Sequence, residues 1–224
     1  MDTTALALSA RLAALTTGLL LLLGLPLAAW LATTRCRVRF LVEAVVALPL
    51  VLPPTVLGFY LLVGMGPRAP LGRAFAWLAG HPFPFSFTGL LLASVLYSLP
   101  FAVQPFTAAL AGVDRRLVEA AHTLGASRLG AFLRVTLPLA WPGVLAGAVL
   151  TFAHTLGEFG VVLMVGGNIP GQTRTLAVAI FDQVEALDYA AAHRTAGLLL
   201  LTSFAVLALV YALQRRALSS WPGR

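Results

Sequence analysis

Apolar residues form five long runs along this chain, and short segments rich in glycine, proline and charged side chains separate them. A helix rises 1.5 Å per residue, so about 20 consecutive apolar residues cross the hydrocarbon core of a bilayer. Each run reaches that length, and we predict one transmembrane helix for each. The five predicted spans are residues 12–32, 41–65, 87–113, 139–162 and 195–213.

Prolines interrupt four of the five predicted spans. Inside a helix, proline removes a backbone hydrogen bond, and in lipid the freed carbonyl needs another partner. We therefore predict kinked helices around a path that water can enter. The alternative is that these prolines only reflect the higher frequency of proline in membrane helices. They are Pro26 in the first span, Pro49, Pro53 and Pro54 in the second, Pro100 and Pro105 in the third, and Pro142 in the fourth.

The composition excludes a soluble globular protein. Hydrophobic residues make up 59% of the chain and charged residues 10%, with a mean hydropathy of +0.92, whereas soluble domains have about 25% charged residues. The single Cys36 excludes an internal disulfide and a cysteine-based metal site. The first apolar run lacks a small-residue cleavage site, so we expect it to be retained. The chain is predicted to be an all-α integral membrane protein.

The distribution of basic residues predicts the orientation. All 15 basic residues are arginines, against 8 acidic residues, and the net charge is +7. They lie between the apolar runs and form no basic face, so we predict no nucleic-acid partner. With the N-terminus outside and the C-terminus inside, two thirds of the arginines lie on the inner side, as the positive-inside rule favours. The inner ones are Arg35, Arg37, Arg39, Arg115, Arg116, Arg128, Arg134, Arg215, Arg216 and Arg224; the outer ones are Arg11, Arg68, Arg73, Arg174 and Arg194.

Residues 114–136, which we call the coupling segment, read as two short helices joined by a bend. Asp114 suits a helix N-cap, and Gly125 suits the left-handed position that ends a helix. Ser127 can cap a second helix. Between these residues, Leu117, Ala121 and Leu124 share one face. On periodicity alone, the segment is equally consistent with an interfacial connector between two spans.

The spacing within and just after the coupling segment resembles the EAA loop of binding-protein-dependent ABC importer permeases, with Val135 where that pattern has isoleucine. The resemblance implies a type I ABC importer permease (MetI-like) architecture, with residues 1–224 forming one transmembrane domain. It also implies a helix that docks in a groove of a cytoplasmic ATPase. Glu119 could instead pair with an arginine of its own helix, Arg115 or Arg116. The residues that carry the resemblance, and the predicted coupling role, are Glu119, Ala120, Ala121, Gly125, Leu137 and Pro138.

The chain itself is not predicted to be an enzyme. A P-loop requires a lysine that reaches the nucleotide phosphates, and this sequence contains no lysine. The acidic residues are scattered and form no catalytic pair, and no metal-ligand motif is present. We therefore expect no catalytic residue, no metal and no cofactor on this chain, with ATP and Mg²⁺ bound by a partner subunit.

Two polar stripes at helical spacing predict the translocation path. We assign the path to Ser94, Ser98 and Gln104 on the third span and Thr151 and Thr155 on the fourth, because hydroxyl and amide groups bind an anion weakly. His154 and Glu158 are assigned to gate or helix-end support. We expect His154 or Arg174 to neutralise Glu158. Alternatively, the threonines bond to their own helix and His154 only pairs with Glu158.

Two further motifs resemble the molybdate permeases of this family, with sulfate and tungstate permeases close behind. They are Leu-Pro-Leu-Val-Leu-Pro-Pro-Thr-Val-Leu-Gly at 48–58 and Gly-Glu-Phe-Gly at 157–160. The resemblance implies a homodimer in the bacterial inner membrane, in contact with lipid, two ATPase subunits and a periplasmic oxyanion-binding protein. Two alternatives remain: a sulfate or tungstate permease, and a proton-coupled secondary transporter that uses Glu158 and His154 as a relay.

Overall fold

The structure is a computed structural model that describes residues 2–219, and every regular element in that range is helical. Four helical stretches are long and apolar enough to cross a membrane: Thr3–Thr33, Phe87–Ala111, Arg128–Leu156 and Tyr189–Ala208. A fifth crossing is provided if the bent pair Arg39–Val51 and Pro54–Met65 forms one span. The all-α membrane fold with about five spans is therefore as predicted. Arg224, one of the predicted inner arginines, lies outside the described residues.

Helices α1 (Thr3–Thr33), α5 (Phe87–Ala111) and α8 (Leu137–Leu156) form the centre of the bundle. Their shared core contains the buried Leu20 of α1, Val103 and Phe106 of α5, and Val144 of α8. Gly143 and Gly147 make the approach of α8 to α5 close: a Cβ on Gly143 would lie 2.6 Å from the Cβ of Ala109. This small-residue contact is how membrane helices pack when water does not drive them together.

The second predicted span, residues 41–65, is wrong as a single continuous helix. It is divided into α2 (Arg39–Val51) and α3 (Pro54–Met65), whose axes differ by 113°. Leu52 precedes Pro53 and is extended, with ψ of 134°, because the proline ring disfavours helical backbone at the residue before it. Pro54 then occupies the first turn of α3. The proline pair breaks the span, whereas Pro49 is accommodated inside α2.

The fourth predicted span, residues 139–162, also ends earlier than expected. Helix α8 ends at Leu156, and a separate short helix, α9 (Gly160–Gly166), follows. Phe159, just before α9, has a non-helical backbone with φ −126° and ψ −67°. Helix α9 packs on α3 so closely that a Cβ on Gly58 would lie 2.7 Å from the Cβ of Met164. This close contact holds α9 against α3.

The coupling segment contains the two predicted helices, α6 (Arg115–Thr123) and α7 (Arg128–Ala131), with the bend between them. A π-helical turn at Phe132–Thr136 then joins α7 to α8, so one helical stretch runs from Arg128 to Leu156. The Leu137 amide bonds to the carbonyl of Phe132, five residues back. Pro138, next in the chain, has no amide to donate, and single π turns of this kind occur at functional sites.

The two remaining short helices lie at the end of the bundle opposite the coupling segment, and the last long helix packs on α8. Helix α4 (Pro70–Ala79) follows α3, and α10 (Leu176–Glu185) precedes the long helix α11 (Tyr189–Ser219). Thr175 caps α10 by accepting a hydrogen bond from the Val178 amide. The Leu176 amide donates to Ser9 of α1 at 2.9 Å, which fastens α10 to the start of the chain.

Candidate functional site

The bend of the coupling segment is built by backbone hydrogen bonds around Gly125. The Ala126 amide donates to Ala121 and the Gly125 amide donates to His122, at 3.0 and 2.9 Å. This pair of bonds is the Schellman motif, which needs left-handed backbone after the helix, and Gly125 has φ +88°. The Asp114 and Ser127 side chains cap α6 and α7 through the amides of Arg116 and Gly130. The capping residues predicted from the sequence are confirmed.

Helix α6 presents most of its surface outward, and none of its residues is buried. Glu119, Ala120 and Gly125 are exposed, as is Pro138 at the start of α8, whereas Ala121 and Leu137 are half-buried. Large apolar side chains lie open beside them: Leu117, Leu124, Leu129 and Leu133. Within residues 2–219 no ion pair joins Glu119 to Arg115 or Arg116. The segment thus presents a small-residue and leucine surface that this chain leaves uncovered.

A second group of polar side chains lies between α5 and the end of α8. We call Ser94, Ser98, His154, Thr155 and Glu158 the polar cluster. Both serines donate to the Glu158 carboxylate at 2.6 Å, Ser94 to Oε2 and Ser98 to Oε1. Ser98 also lies 3.0 Å from His154 Nδ1 and 2.9 Å from the Thr155 hydroxyl. Residues on two predicted stripes, some 60 positions apart in the sequence, are therefore brought together by the packing of α5 on α8.

The exposure of the predicted path residues separates them into two groups. Ser94, Ser98, Thr151 and Thr155 are at most 2% exposed, while Gln104 is exposed on another part of α5. The Thr151 and Thr155 hydroxyls donate to carbonyls of their own helix, those of Gly147 and Thr151, at 2.8 and 3.0 Å. The buried hydroxyls face protein in this conformation. Their assignment to the translocation path stays a prediction.

The Glu158 carboxylate is completely buried, and its neighbouring polar groups are defined. Its side chain has no exposed surface, and His154 Nδ1 lies 3.4 Å from Oε1. Arg174, the other expected neutralising group, is engaged elsewhere. It donates to Asn168 at 2.6 Å and to Asp182 of α10 at 2.7 Å. That network at the far end of the bundle was not predicted, because nothing local in the sequence links residues 168, 174 and 182.

A cavity of ≈ 570 Å³ opens beside the polar cluster where α3 begins and α8 gives way to α9. The sequence motifs at 48–58 and 157–160 contribute to its walls, although neither predicted a cavity. Gly160 allows the close approach, since a Cβ there would lie 2.9 Å from Pro54. Within the described residues, no group of three His, Cys, Asp or Glu side chains could hold a metal ion. The cavity is lined by Pro54, Thr55, Tyr97, Ala153, His154, Gly157, Glu158, Phe159 and Gly160.

Comparisons with known sequences agree on one family. Residues 24–220 match the family described as binding-protein-dependent transport system inner membrane component. The chain is 56% identical over 214 residues to the molybdenum transport system permease protein ModB of Azotobacter vinelandii, covering 96% of this chain and 95% of that protein. It is 46% identical over 160 residues to ModB of Escherichia coli K12, covering 70% and 69% of the two chains.

Solved structures share the fold at low sequence identity. The inward-facing MetNI methionine ABC transporter aligns with a TM-score of 0.77 at 16% identity, over 96% of this chain and 95% of that one. A bacterial ABC transporter that imports the acidic polysaccharide alginate aligns with a TM-score of 0.72 at 17% identity, over 94% and 79%. Both are ABC transporters, and this chain shares the fold of the chains that match it.

Proposed function

The chain belongs to the family of binding-protein-dependent transport system inner membrane components, and from this membership we propose that it carries molybdate across the inner membrane. It is a multi-pass permease subunit of an ABC importer. The observation that supports molybdate as the substrate is the 56% identity to a molybdenum permease over 96% of the chain. The motifs at 48–58 and 157–160 fall within that similarity and form the walls of one cavity.

Coupling to a separate ATPase is supported by the geometry of the coupling segment. A bent pair of short helices, with an exposed Ala120, a half-buried Ala121 and exposed leucines around them, suits helix-in-groove docking on a partner. We assign this docking to Glu119, Ala120, Ala121 and Gly125, with Leu137 and Pro138 joining the segment to α8. The partner ATPase would bind ATP and Mg²⁺ and move the segment during its nucleotide cycle.

A homodimer is supported by the apolar surface that α2 and α3 leave open beside the cavity. Val51, Phe59, Tyr60 and Val63 are between 49% and 81% exposed, so the rest of the chain leaves these apolar side chains uncovered. Lipid can cover part of this surface. A second copy packed on the rest would enclose the cavity between two chains, and a periplasmic oxyanion-binding protein would deliver the anion to its outer side.

The proposed importer is tested by uptake in proteoliposomes that contain the permease, its cognate ATPase and its cognate binding protein. We expect molybdate uptake that requires all three proteins and internal ATP, because this chain has no nucleotide-binding motif. The control is the permease alone with an imposed proton gradient, which we expect to transport nothing. Uptake by the permease alone, or uptake of sulfate in preference to molybdate, would contradict the proposal.

The orientation with the N-terminus outside can be tested with the native cysteine. Cys36 is exposed in the loop between α1 and α2, beside Arg35 and Arg37, and the proposal places this loop in the cytoplasm. A membrane-impermeant maleimide is therefore expected to label Cys36 only after the cells are permeabilised. The control is Cys36→Ser combined with Gln172→Cys, which should be labelled in intact cells. Labelling of Cys36 in intact cells would reverse the orientation.

A further inference from the structure

His154 stands at the border between the polar cluster and the cavity. Its ring lines the cavity, and 17% of its side-chain surface is exposed, whereas the neighbouring Glu158 side chain is fully covered. The histidine is thus the charged or chargeable side chain of the cluster that a solute in the cavity can reach. The hydrogen bonds of His154 determine whether its ring offers a donor or an acceptor to that solute.

Hydrogen-bond accounting places a proton on Nδ1 of this ring. A serine hydroxyl has one hydrogen, and Ser98 donates its hydrogen to Glu158 at 2.6 Å. Toward His154 Nδ1, 3.0 Å away, the Ser98 oxygen can therefore only accept. The other atom near Nδ1 is a carboxylate oxygen of Glu158, also an acceptor, at 3.4 Å. Nδ1 must then be the donor in this contact.

The second ring nitrogen, Nε2, is left for the cavity. Among the described residues no hydrogen bond occupies Nε2. When Nε2 also carries a proton, the ring is an imidazolium, and the buried Glu158 carboxylate balances its charge. Nε2 can then offer a charged N–H donor to an anion in the cavity, and donors of this kind form stronger hydrogen bonds with anions than neutral donors do.

The Glu158 carboxylate is shielded from the cavity, so it does not repel an anion there. The Glu158 carboxylate accepts from Ser94 and Ser98 and has no exposed surface, so only the backbone of this residue contributes to the 3% that is exposed. The other polar side chains among the residues that line the cavity are those of Tyr97 on α5 and Thr55 on α3. Both are neutral donors, so the accessible polar surface suits an oxyanion.

The ring is held in one orientation by two aromatic side chains of α5. Phe101 stacks on it, with ring centroids 3.8 Å apart and planes 23° apart, and Tyr97 lies 5.0 Å away at 50°. Residues 97 and 101 are one helical turn apart, and so are residues 94 and 98. Helix α5 therefore holds the His154 ring with the first pair, Tyr97 and Phe101. It holds the Glu158 carboxylate with the second pair, Ser94 and Ser98. A donor fixed in this way loses little freedom when it binds.

We infer that doubly protonated His154 is an oxyanion-binding residue of the translocation path, donating through Nε2, and that Glu158, Ser94 and Ser98 are positioning residues for its ring. The inference rests on the proposed function and names a contact within it. One charged hydrogen bond beside two hydroxyls is a weak site, which suits transport because the anion must also leave.

The test compares two substitutions that each preserve half of the imidazole. His154→Asn keeps an amide donor near the position of Nδ1, toward Ser98, and removes the outward donor. His154→Gln places its amide near the position of Nε2. His193, which is exposed on α11 outside the cavity, provides the control His193→Asn. The measurement is molybdate transported per ATP hydrolysed in proteoliposomes with the ATPase and the binding protein, together with thermal unfolding of each variant in detergent.

For His154→Asn we expect molybdate transported per ATP to fall about tenfold, as for loss of one charged hydrogen bond, while stimulation of the ATPase by the binding protein stays unchanged. His154→Gln, whose neutral amide can still donate near the position of Nε2, should lose less transport than His154→Asn. The inference is overturned if His154→Asn transports as well as His193→Asn. It is also overturned if both His154 variants lose stability and ATPase stimulation together, since His154 would then serve packing alone. Failure of the parent protein to transport molybdate would instead refute the proposed function.

Discussion

Replacing Gly125 with proline is expected to abolish molybdate uptake while leaving the protein inserted in the membrane. Gly125 has φ +88° and its amide donates to His122. Proline is held near φ −65° and has no amide hydrogen, so the bend cannot form as it stands. Loss of the hydrogen bond costs about 1 kcal/mol and the backbone conflict on the order of 1–3 kcal/mol, which together correspond to about a hundredfold loss of coupling at about 1.4 kcal/mol per tenfold. The measurements are uptake and co-purification of the ATPase with the permease.

Gly80 offers a matched control for this substitution. It also follows a helix with a positive φ, +74°, and its amide donates to Ala76 at 3.0 Å. A Cβ would meet open space at both glycines. Gly80→Pro therefore imposes the same backbone conflict at the opposite end of the bundle, where we expect ATPase binding to persist. If Gly125→Pro and Gly80→Pro retain the ATPase equally, the coupling role of residues 114–136 is wrong.

Replacing Gly147 with leucine is expected to prevent the protein from folding into an extractable form. A Cβ at this position would lie 2.9 Å from two ring carbons of Phe106 and 3.0 Å from Pro105. Phe106 has no exposed surface and cannot move aside without displacing the α1, α5 and α8 core. Overpacking of a close contact costs about 1–3 kcal/mol, and leucine adds three carbons beyond the Cβ. Size-exclusion chromatography and thermal unfolding in detergent measure the loss.

Gly18→Leu is the control for the size of the substitution. Gly18 also lies within a long apolar helix, but a Cβ there has nothing within 4 Å. This variant should extract and unfold like the parent protein. A smaller pair of changes refines the test: Gly143→Ala should destabilise the protein, and Ala109→Gly on the facing helix should restore it, because the two Cβ atoms would lie 2.6 Å apart. Equal stability of Gly147→Leu and Gly18→Leu would contradict the packing described for α5 and α8.

The structure agrees with one of the alternatives that the sequence left open, and the family membership argues against another. His154 does pair with Glu158, and the threonine hydroxyls do bond to their own helix. These contacts do not exclude a role for the polar cluster in transport, because His154 still lines the cavity. A proton relay through the same two residues would need no ATPase, and membership of a binding-protein-dependent family makes the chain part of a multi-subunit importer instead.

The sequence by itself determined the properties that depend on local patterns. Long apolar runs require membrane helices, because lipid cannot satisfy an open backbone. Asp114, Gly125 and Ser127 act on amides within a few residues of themselves, so the two helices and the bend of the coupling segment could be predicted. The four-residue spacing of Gly143 and Gly147 is typical of a close contact between membrane helices, but it does not indicate which helix supplies the contact.

Only the tertiary structure decided the features that depend on residues distant in the sequence. Pro53 and Pro54 were visible as helix breakers, but the 113° angle follows from packing α3 on α9 and α2 on the α1–α5–α8 core. Glu158 could have been neutralised by His154 or Arg174. The choice followed from α5 placing Ser94 and Ser98 at the carboxylate, while Asp182 engaged the arginine. Side-chain partners are set by which helices meet and in what register, and that information is absent from any local stretch of the chain.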